Sequence, residues 1–233
     1  MAFKTKEDYV ADFLRENILS GKFPRGTRLK QAEVAKMLDI SITPVREALR
    51  LLAAEGYVLG TTHRGAIVAP FEAAAAKEIM ELRVMLESKL TLAAMQRMTA
   101  QNFDELGILR KKFEDAAAMG QRYTVRAANY RFHSYLHSLA DLPQTLHFVQ
   151  ILWAKYPFDL INVIDGRIQR AAEEHADIFD ALTARDENAV LRAVHQHIET
   201  GWQELKTTLH DSGNALPIRP YLPPKLNGEK SHG

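Results

Sequence analysis

Residues 31–69 constrain the fold of this chain more than any other stretch. The spacing of apolar residues predicts a short helix over 31–38, a tight turn, and a second helix over 43–55 that ends at Gly56. Two short apolar runs follow within 58–69, and the glycines between them indicate a β-hairpin. Two helices joined by a tight turn and followed by a hairpin are the plan of a winged helix-turn-helix, which places its second helix in the major groove of double-stranded DNA.

The second helix of this unit has an apolar face and a polar N-terminal half. Residues at the start of a recognition helix reach base edges, where arginine binds guanine through two hydrogen bonds and hydroxyl groups bind phosphates or bases. The alternative is that its arginines lie on a solvated helix face. We expect contacts with DNA from the following residues, the last of them to a phosphate: Ser41, Thr43, Arg46, Arg50 and Arg28.

The remainder of the chain is helical in pattern almost throughout. The predicted helices span 72–98, 101–119, 121–139, 142–156, 166–185 and 186–209. Short loops between them favour an antiparallel bundle. We therefore predict a mainly α fold, with an N-terminal winged helix-turn-helix domain over 1–70, which carries a small β-hairpin wing, and an all-α bundle of about six helices over 71–210. A proline-rich tail over 211–233 is predicted to be extended or disordered.

The composition limits the class of protein. Of the 233 residues, 46% are hydrophobic and 25% are charged, which is typical of a globular protein. The apolar runs are too short for a membrane span, which needs about 18 residues, and the charged N-terminus is unlike a signal peptide. The chain has no cysteine, which excludes a disulfide framework and a thiolate metal site. We expect a cytoplasmic protein with no membrane partner.

Four segments of the N-terminal region follow a known pattern: ILSGKFPRGTRL (18–29), EVAKMLDIS (33–41), TPVREALRLLAAEGYV (43–58) and HRGAIV (63–68). Together they resemble the GntR superfamily of bacterial transcription regulators. The resemblance implies a homodimer on a palindromic DNA operator. It also implies that His63, Arg64 and Gly65, at the hairpin tip, approach the minor groove or backbone. The family often has Arg directly after the turn serine, and Ile42 at that position implies a different operator preference.

Helical geometry directs three of the nine histidines towards the interior of the bundle. At about 100° per residue, His175 and His197 fall on the apolar stripes of their helices, and His133 lies beside another stripe with Asn129 one turn before it. His137 is expected to turn further from that stripe. Each inward histidine could be a core residue with one hydrogen-bonding partner. Imidazoles that converge inside a bundle also form divalent metal sites.

The bundle carries a second resemblance, in the segments ELRVMLESKLTLAA (81–94), NYRFH (129–133), EEHADIFDAL (173–182) and AVHQHI (193–198). These resemble the all-helical FCD effector domain of the FadR subfamily of GntR regulators. The ligand motif of its metal-binding members carries over onto Asn129, His133, His175 and His197. Imidazole ligands suit zinc or nickel. Many members have aspartate at the position of Asn129. The neutral asparagine leaves the site one charge more positive, which favours an anionic effector.

Arg83 is expected on the inner side of its helix. It could bind the carboxylate of an effector, or it could only pair with Glu87 four residues later.

We interpret the chain as a ligand-responsive transcriptional regulator, and preferably a repressor, that binds a small carboxylate and is not an enzyme. One alternative is a metal sensor, in which the ion itself is the effector. Another is a metal-dependent hydrolase, although Glu173 and Glu174, which flank His175, are expected to point to other faces.

Overall fold

The chain folds mainly into helices with one small sheet, as predicted. A computed structural model describes residues 5–62, 65–71, 73–158 and 166–211. The helices are α1 (Lys6–Leu19), α2 (Gln31–Leu38), α3 (Ile42–Ala54), α4 (Ala76–Arg97), α5 (Ala100–Ala118), α6 (Arg122–Ser138), α7 (Pro143–Lys155), α8 (Arg167–Ala184) and α9 (Glu187–Asp211). The strands are β1 (Arg28–Leu29), β2 (Val58–Thr62) and β3 (Gly65–Val68), and a short 3₁₀ helix, Ala73–Ala75, precedes α4.

Local sequence explains the tight turn between α2 and α3. Asp39 ends α2 in the left-handed conformation, with φ 52°, which aspartate tolerates better than most residues. Ser41 then occupies the N-cap position of α3, although its side chain makes no capping hydrogen bond. The apolar face of α3 is buried against α1 and α2. The polar N-terminal half of α3 is thereby left facing outwards.

The wing contains one strand that the sequence did not predict. The predicted hairpin is present as β2 and β3, and β1 adds to its other edge to give the antiparallel order β1-β3-β2. Gly65 begins β3 at φ 108°, and a Cβ atom there would lie 2.0 Å from the carbonyl oxygen of Leu29. Glycine is therefore required at position 65 to let β3 approach β1. His63 and Arg64 lie outside the described residues.

The six helices from α4 to α9 form the predicted bundle. Helix α4 packs against α7 and α9, α5 packs against α6 and α8, and α8 packs against α9. The observed bounds lie within a few residues of the predicted ones, because most of these helices are separated by short loops that mark where each helix ends. Almost all of the predicted tail lies outside the described residues. Within the described part of the chain, no helix is long and apolar enough to cross a membrane.

Helix α1 joins the N-terminal unit to the bundle. It packs on α3 on one side and on α6 and α7 on the other, and one continuous apolar core includes residues from both regions. Polar contacts reinforce this junction. Arg131 of α6 binds both carboxylate oxygens of Glu16, at 2.6 and 2.8 Å. Arg25 donates to the carbonyl oxygens of Ala69 and Tyr156. Helix α1 is therefore in contact with both the recognition helix and the bundle.

Candidate functional site: a recognition helix and a histidine-lined cavity

The outer end of α3 presents the side chains that were expected to contact DNA. Ser41 and Thr43 are exposed, Arg46 is half-buried, and the side chain between the two hydroxyl residues, Ile42, is 43% exposed. Arg28 is exposed on strand β1. Hydroxyl, guanidinium and apolar groups at one helix end are the types that read phosphates and bases in the major groove.

Arg50 lies one turn further along α3, in an exposed ion pair. Its guanidinium is 2.9 Å from a carboxylate oxygen of Glu47. Exposed ion pairs contribute little to stability, so a DNA phosphate can replace Glu47 as the partner of Arg50. Gly65 differs from the other residues of the expected DNA-binding set, because the close approach of β1 already explains why this position has no side chain.

The structure brings the three inward histidines together. His133 of α6, His175 of α8 and His197 of α9 are all buried, and one ring nitrogen from each lies within 4.8 Å of the others. The Nε2 atoms of His133 and His175 are 3.1 Å apart. Two imidazoles on one zinc ion, each at about 2.0–2.1 Å, have their nitrogens about 3 Å apart. The donor set and its spacing therefore fit a divalent cation.

The protonation states of these histidines also fit a metal site. Burial lowers the pKa of His133 and of His175 well below 6.5, and neighbouring histidines lower both further. Burial lowers the pKa of His197 as well, although the hydrogen bond with Glu174 partly opposes this shift. The three imidazoles are therefore neutral at pH 7, and a neutral imidazole is the form that binds a metal.

Glu174 orients one of the three imidazoles. Its Oε2 atom lies 2.7 Å from Nδ1 of His197 and accepts a hydrogen bond of 2.8 Å from Arg167. Burial alone would raise the pKa of Glu174, but the contacts with His197 and Arg167 hold that pKa below its usual value. A carboxylate at Nδ1 places the proton there and leaves the lone pair on Nε2. Support of this kind is common around metal-binding histidines.

The sequence did not single out Glu174 for this role. It was expected to point away from the face of His175, and it does bind a different partner, His197 of the next helix. The signal that could have found it is the position of Arg167 seven residues earlier, which places an arginine and a carboxylate on one face of α8.

The expectation for His137 was wrong. This residue is 2% exposed and packs against Trp153, with ring centroids 5.6 Å apart. Helices α1, α4 and α5 all pack on α6, so the buried arc of α6 is wider than one apolar stripe suggests. Burial lowers the pKa of His137 to about 4. His137, His133 and Glu87 form a second buried group of possible ligands.

The structure contains the pair with Glu87 that was expected for Arg83, and binding of an effector carboxylate by Arg83 stays a prediction. Its Nε atom donates to Oε1 of Glu87 at 2.7 Å, and Trp153 donates to the same oxygen at 2.8 Å. Burial would raise the pKa of Glu87, but Arg83 and His137 hold that pKa below its usual value. The guanidinium of Arg83 also lies 4.4 Å from the ring centre of Tyr156. Arg83 thus has its intrahelical partner and still lines the central cavity.

One cavity joins these groups. Its walls include aromatic rings, two of the histidines, Asn129 and three arginines; these residues are Phe113, Tyr130, Trp153, Tyr156, Phe158, His133, His197, Asn129, Arg83, Arg126 and Arg167. Asn129 lines the cavity one turn before His133, and its role as a metal ligand stays a prediction. Arg126 was not singled out in the sequence. Cationic groups within apolar walls suit a small anion, because guanidinium groups form their strongest hydrogen bonds with anionic oxygens.

Comparison with protein families covers most of the chain. The family of bacterial regulatory proteins of the gntR type matches residues 6–68, and the FCD domain family matches residues 78–200. The first match contains the winged helix-turn-helix. The second contains the three clustered histidines His133, His175 and His197, together with Arg83 and Arg126.

Individual relatives agree with these families over most of their length. The chain is 29% identical to a probable D-xylose utilization operon transcriptional repressor of Paenarthrobacter nicotinovorans, over 90% of this chain and 91% of the relative. It is 26% identical to an uncharacterized HTH-type transcriptional regulator of Bacillus subtilis, over 85% and 90%. The structure of Escherichia coli McbR/YncC shares the fold, with a TM-score of 0.75 and 21% identity over 88% of this chain and 99% of that one.

These relatives are transcription regulators and not enzymes, which argues against the hydrolase alternative. Two adjoining family matches, one to the DNA-binding unit and one to the helical bundle, account for residues 6–68 and 78–200. The chain therefore belongs to the gntR family of bacterial regulatory proteins and, within it, to the regulators that carry an FCD domain.

Proposed function

We propose that this protein is a ligand-responsive transcriptional repressor whose effector is a small organic acid held at a divalent metal ion in the helical bundle. The protein binds a palindromic operator as a homodimer in the cytoplasm. The observation that carries the proposal is the meeting of three buried, neutral imidazoles, two of which line a cavity that also contains guanidinium groups. The name of the Paenarthrobacter nicotinovorans relative, a repressor, supports repression.

The proposed metal ligands are His133, His175 and His197, with Asn129 as the fourth. The 3.1 Å spacing of the Nε2 atoms of His133 and His175 and the neutral state of the three imidazoles support binding of zinc or nickel, which imidazole ligands suit. When bound, the ion supplies a Lewis-acidic centre with open positions for an anionic oxygen. A neutral amide at position 129 leaves more positive charge at the ion than a carboxylate would, which favours an acid as the remaining ligand.

The proposed effector binds between the ion and the guanidinium of Arg83. Arg83 is held by Glu87 and by the rings of Tyr156 and Phe158, so its side chain is fixed before the effector arrives. Its remaining N–H groups can donate to a carboxylate. A coupling free energy of about 1–3 kcal/mol between the effector and the operator would change DNA affinity about 5- to 150-fold.

The test is a DNA-binding assay with three preparations of the full chain: metal-free protein, protein loaded with zinc or nickel, and loaded protein with a panel of short carboxylic acids. We expect specific binding by the loaded protein and release only when a suitable acid is added. Release by the metal alone would instead support the metal-sensor alternative. Failure to bind any double-stranded DNA specifically in all three preparations would overturn the proposal.

A pair of histidine variants connects the metal to the effector response. His175→Ala removes a fully buried ligand, and we expect loss of bound metal and of the acid response. His195→Ala is the matched control, because His195 lies on the outer face of α9 beside Glu199. Full metal content in the His175→Ala protein, measured by elemental analysis, would refute the shared site.

A further inference from the structure

Helix α4 carries large apolar residues on two opposite faces. On one face, Ile79 and Leu90 are buried in the core of the bundle. On the other face, Leu82 and Met85 are 38% and 66% exposed, and Leu92 is half-buried two turns after Met85. Apolar residues on both faces explain why α4 has almost no amphipathic period. A helix that is apolar all round is typically covered all round.

The outer face of α4 consists of Glu81, Leu82, Met85, Lys89 and Leu92. The last four of these residues are separated by three, four and three positions, and this alternation keeps side chains facing a single partner helix. Helices α7 and α9 pack against other sides of α4. The described part of the chain leaves Leu82 and Met85 exposed, so this seam has no partner helix among the described elements.

The charges on the outer face have opposite signs on the two sides of Met85. Glu81 lies four residues before Met85, and Lys89 lies four residues after it. If a two-fold axis passes at Met85 and relates two antiparallel copies of α4, Glu81 of one copy lies level with Lys89 of the other. Symmetry then forms this attractive pair twice. A parallel pair would instead place like charges side by side, so the charge pattern favours an antiparallel second copy.

Glu81 is available for such a contact. Within its own chain it has an exposed partner, Lys77, at 3.5 Å, and the two side chains are 56% and 73% exposed. Ion pairs of this kind contribute little to stability. Lys89 is also exposed. Both charges can therefore turn towards a second copy without the loss of a strong contact in the single chain.

We infer that two copies of this chain associate through the outer faces of α4, in an antiparallel pair with the two Met85 side chains at the symmetry axis. This inference rests on the homodimer of the proposed function, and it adds the surface, the orientation and the residues. The inner side of the same helix carries Arg83 and Glu87 at the cavity wall. Helix α4 therefore lies between the cavity and the dimer contact, and a shift of α4 changes both.

Cross-linking through a single introduced cysteine tests the position of the axis. The chain has no cysteine, so a disulfide in Met85→Cys can form only between two copies. Packed helices whose axes are 8–10 Å apart bring facing Cα atoms to about 4–6 Å, which a disulfide spans. Under mild oxidation of the full chain, we expect a linked dimer as the main product. Ile108→Cys is the control, because Ile108 is 48% exposed on α5, and it should give little dimer.

Charge reversal tests the orientation, with the dimer affinity measured by sedimentation equilibrium. Glu81→Lys and Lys89→Glu each create two repulsive pairs in a symmetric dimer, and we expect each to weaken dimerisation at least about tenfold. An equimolar mixture of the two variants should form a heterodimer with affinity close to that of wild type, because both pairs are attractive again. This recovery also shows that both variants are folded. Glu105→Lys, at an exposed position of α5, should leave the affinity unchanged.

The possible results separate this inference from the proposed function. A dimer that is undiminished in both reversal variants would overturn the inference and leave the homodimer in place. The same holds if Met85→Cys gives no more linked dimer than Ile108→Cys. A wild-type chain that stays monomeric in solution and on operator DNA would overturn both the inference and the proposed homodimer.

Discussion

Arg15 of α1 and Glu55 of α3 form a buried ion pair with two hydrogen bonds, of 2.8 Å from Nε and 2.7 Å from Nη2. The arginine is 5% exposed and the glutamate 2%. Asp12, one turn before Arg15, accepts a third bond from the same guanidinium at 2.8 Å. The C-terminus of the recognition helix is thus fixed to α1, whose own C-terminus is bonded to the bundle. Movement of α1 would be transmitted to α3 through this pair.

Removing one charge of this pair should destabilise the protein. We expect Glu55→Gln to lower the free energy of unfolding by about 3 kcal/mol, because it removes the buried carboxylate and leaves the guanidinium of Arg15 with only the half-buried Asp12 as an anionic partner. Urea denaturation monitored by circular dichroism gives this quantity. Glu47→Gln is the control, since it breaks the exposed pair with Arg50, and its effect should be within about 0.5 kcal/mol. A loss below 1 kcal/mol for Glu55→Gln would show that the buried pair contributes little.

Arg46 is the residue of α3 for which we expect the largest effect on DNA recognition. Arg46→Ala should weaken binding to a selected operator by about 1–3 kcal/mol, because it removes a side chain able to form two bonds with guanine. Fluorescence anisotropy at a fixed salt concentration measures the change. Arg97→Ala, which removes an exposed arginine at the end of α4, should leave operator affinity unchanged. Equal affinity of wild type and Arg46→Ala would contradict the assigned role.

Most of the helices were predictable because apolar residues recur along them at helical spacing, although α4 shows almost no such period. The limits of that approach are also visible at particular residues. Strand β1 has two residues, Arg28 and Leu29, which is too short for an alternating pattern. It exists because β3 lies beside it and Gly65 permits the approach. The outward placement of the polar end of α3 could be predicted from its apolar face alone.

The candidate site was predictable only in part, for a physical reason. His175 and His197 lie on apolar stripes, which a single helix reveals. His137 is buried by neighbouring helices that no local pattern specifies. The bond between Arg126 and Ser20 joins residues 106 positions apart, so it depends on how α1 packs against α6.

The buried histidines make stability depend on pH. The pKa of His137 falls from 6.5 to about 4 on folding, so between these values the unfolded chain binds more protons than the folded one. The contribution of His137 to the free energy of unfolding is therefore fully present above pH 6.5, and it is lost as the pH falls towards 4. At about 1.4 kcal/mol per pKa unit, His137 alone accounts for about 3 kcal/mol, and the lowered pKa values of His133, His175 and His197 add to the loss.

Urea denaturation of the metal-free protein from pH 7.5 to pH 4 tests this dependence. His137→Asn should make the fall in unfolding free energy with decreasing pH shallower, because it removes one group that the unfolded chain protonates. His147→Asn is the control, since His147 is exposed on α7, and it should keep the wild-type slope. A pH profile of His137→Asn parallel to that of wild type would exclude the assigned contribution.

Glu174 is expected to control metal affinity through His197 without touching the ion. Glu174→Gln keeps the size of the side chain but removes the charge that holds the proton on Nδ1 of His197, and we expect metal affinity to fall about 10- to 100-fold. Competition with a chelating dye measures this affinity. Glu173→Gln is the matched control, because Glu173 is the adjacent carboxylate on α8 and is exposed. Neither carboxylate is a proposed ligand. A loss of metal affinity in Glu174→Gln alone would therefore show that the orientation and basicity of His197 limit metal binding. Equal losses of metal affinity in both variants would indicate only a general effect of removing a negative charge.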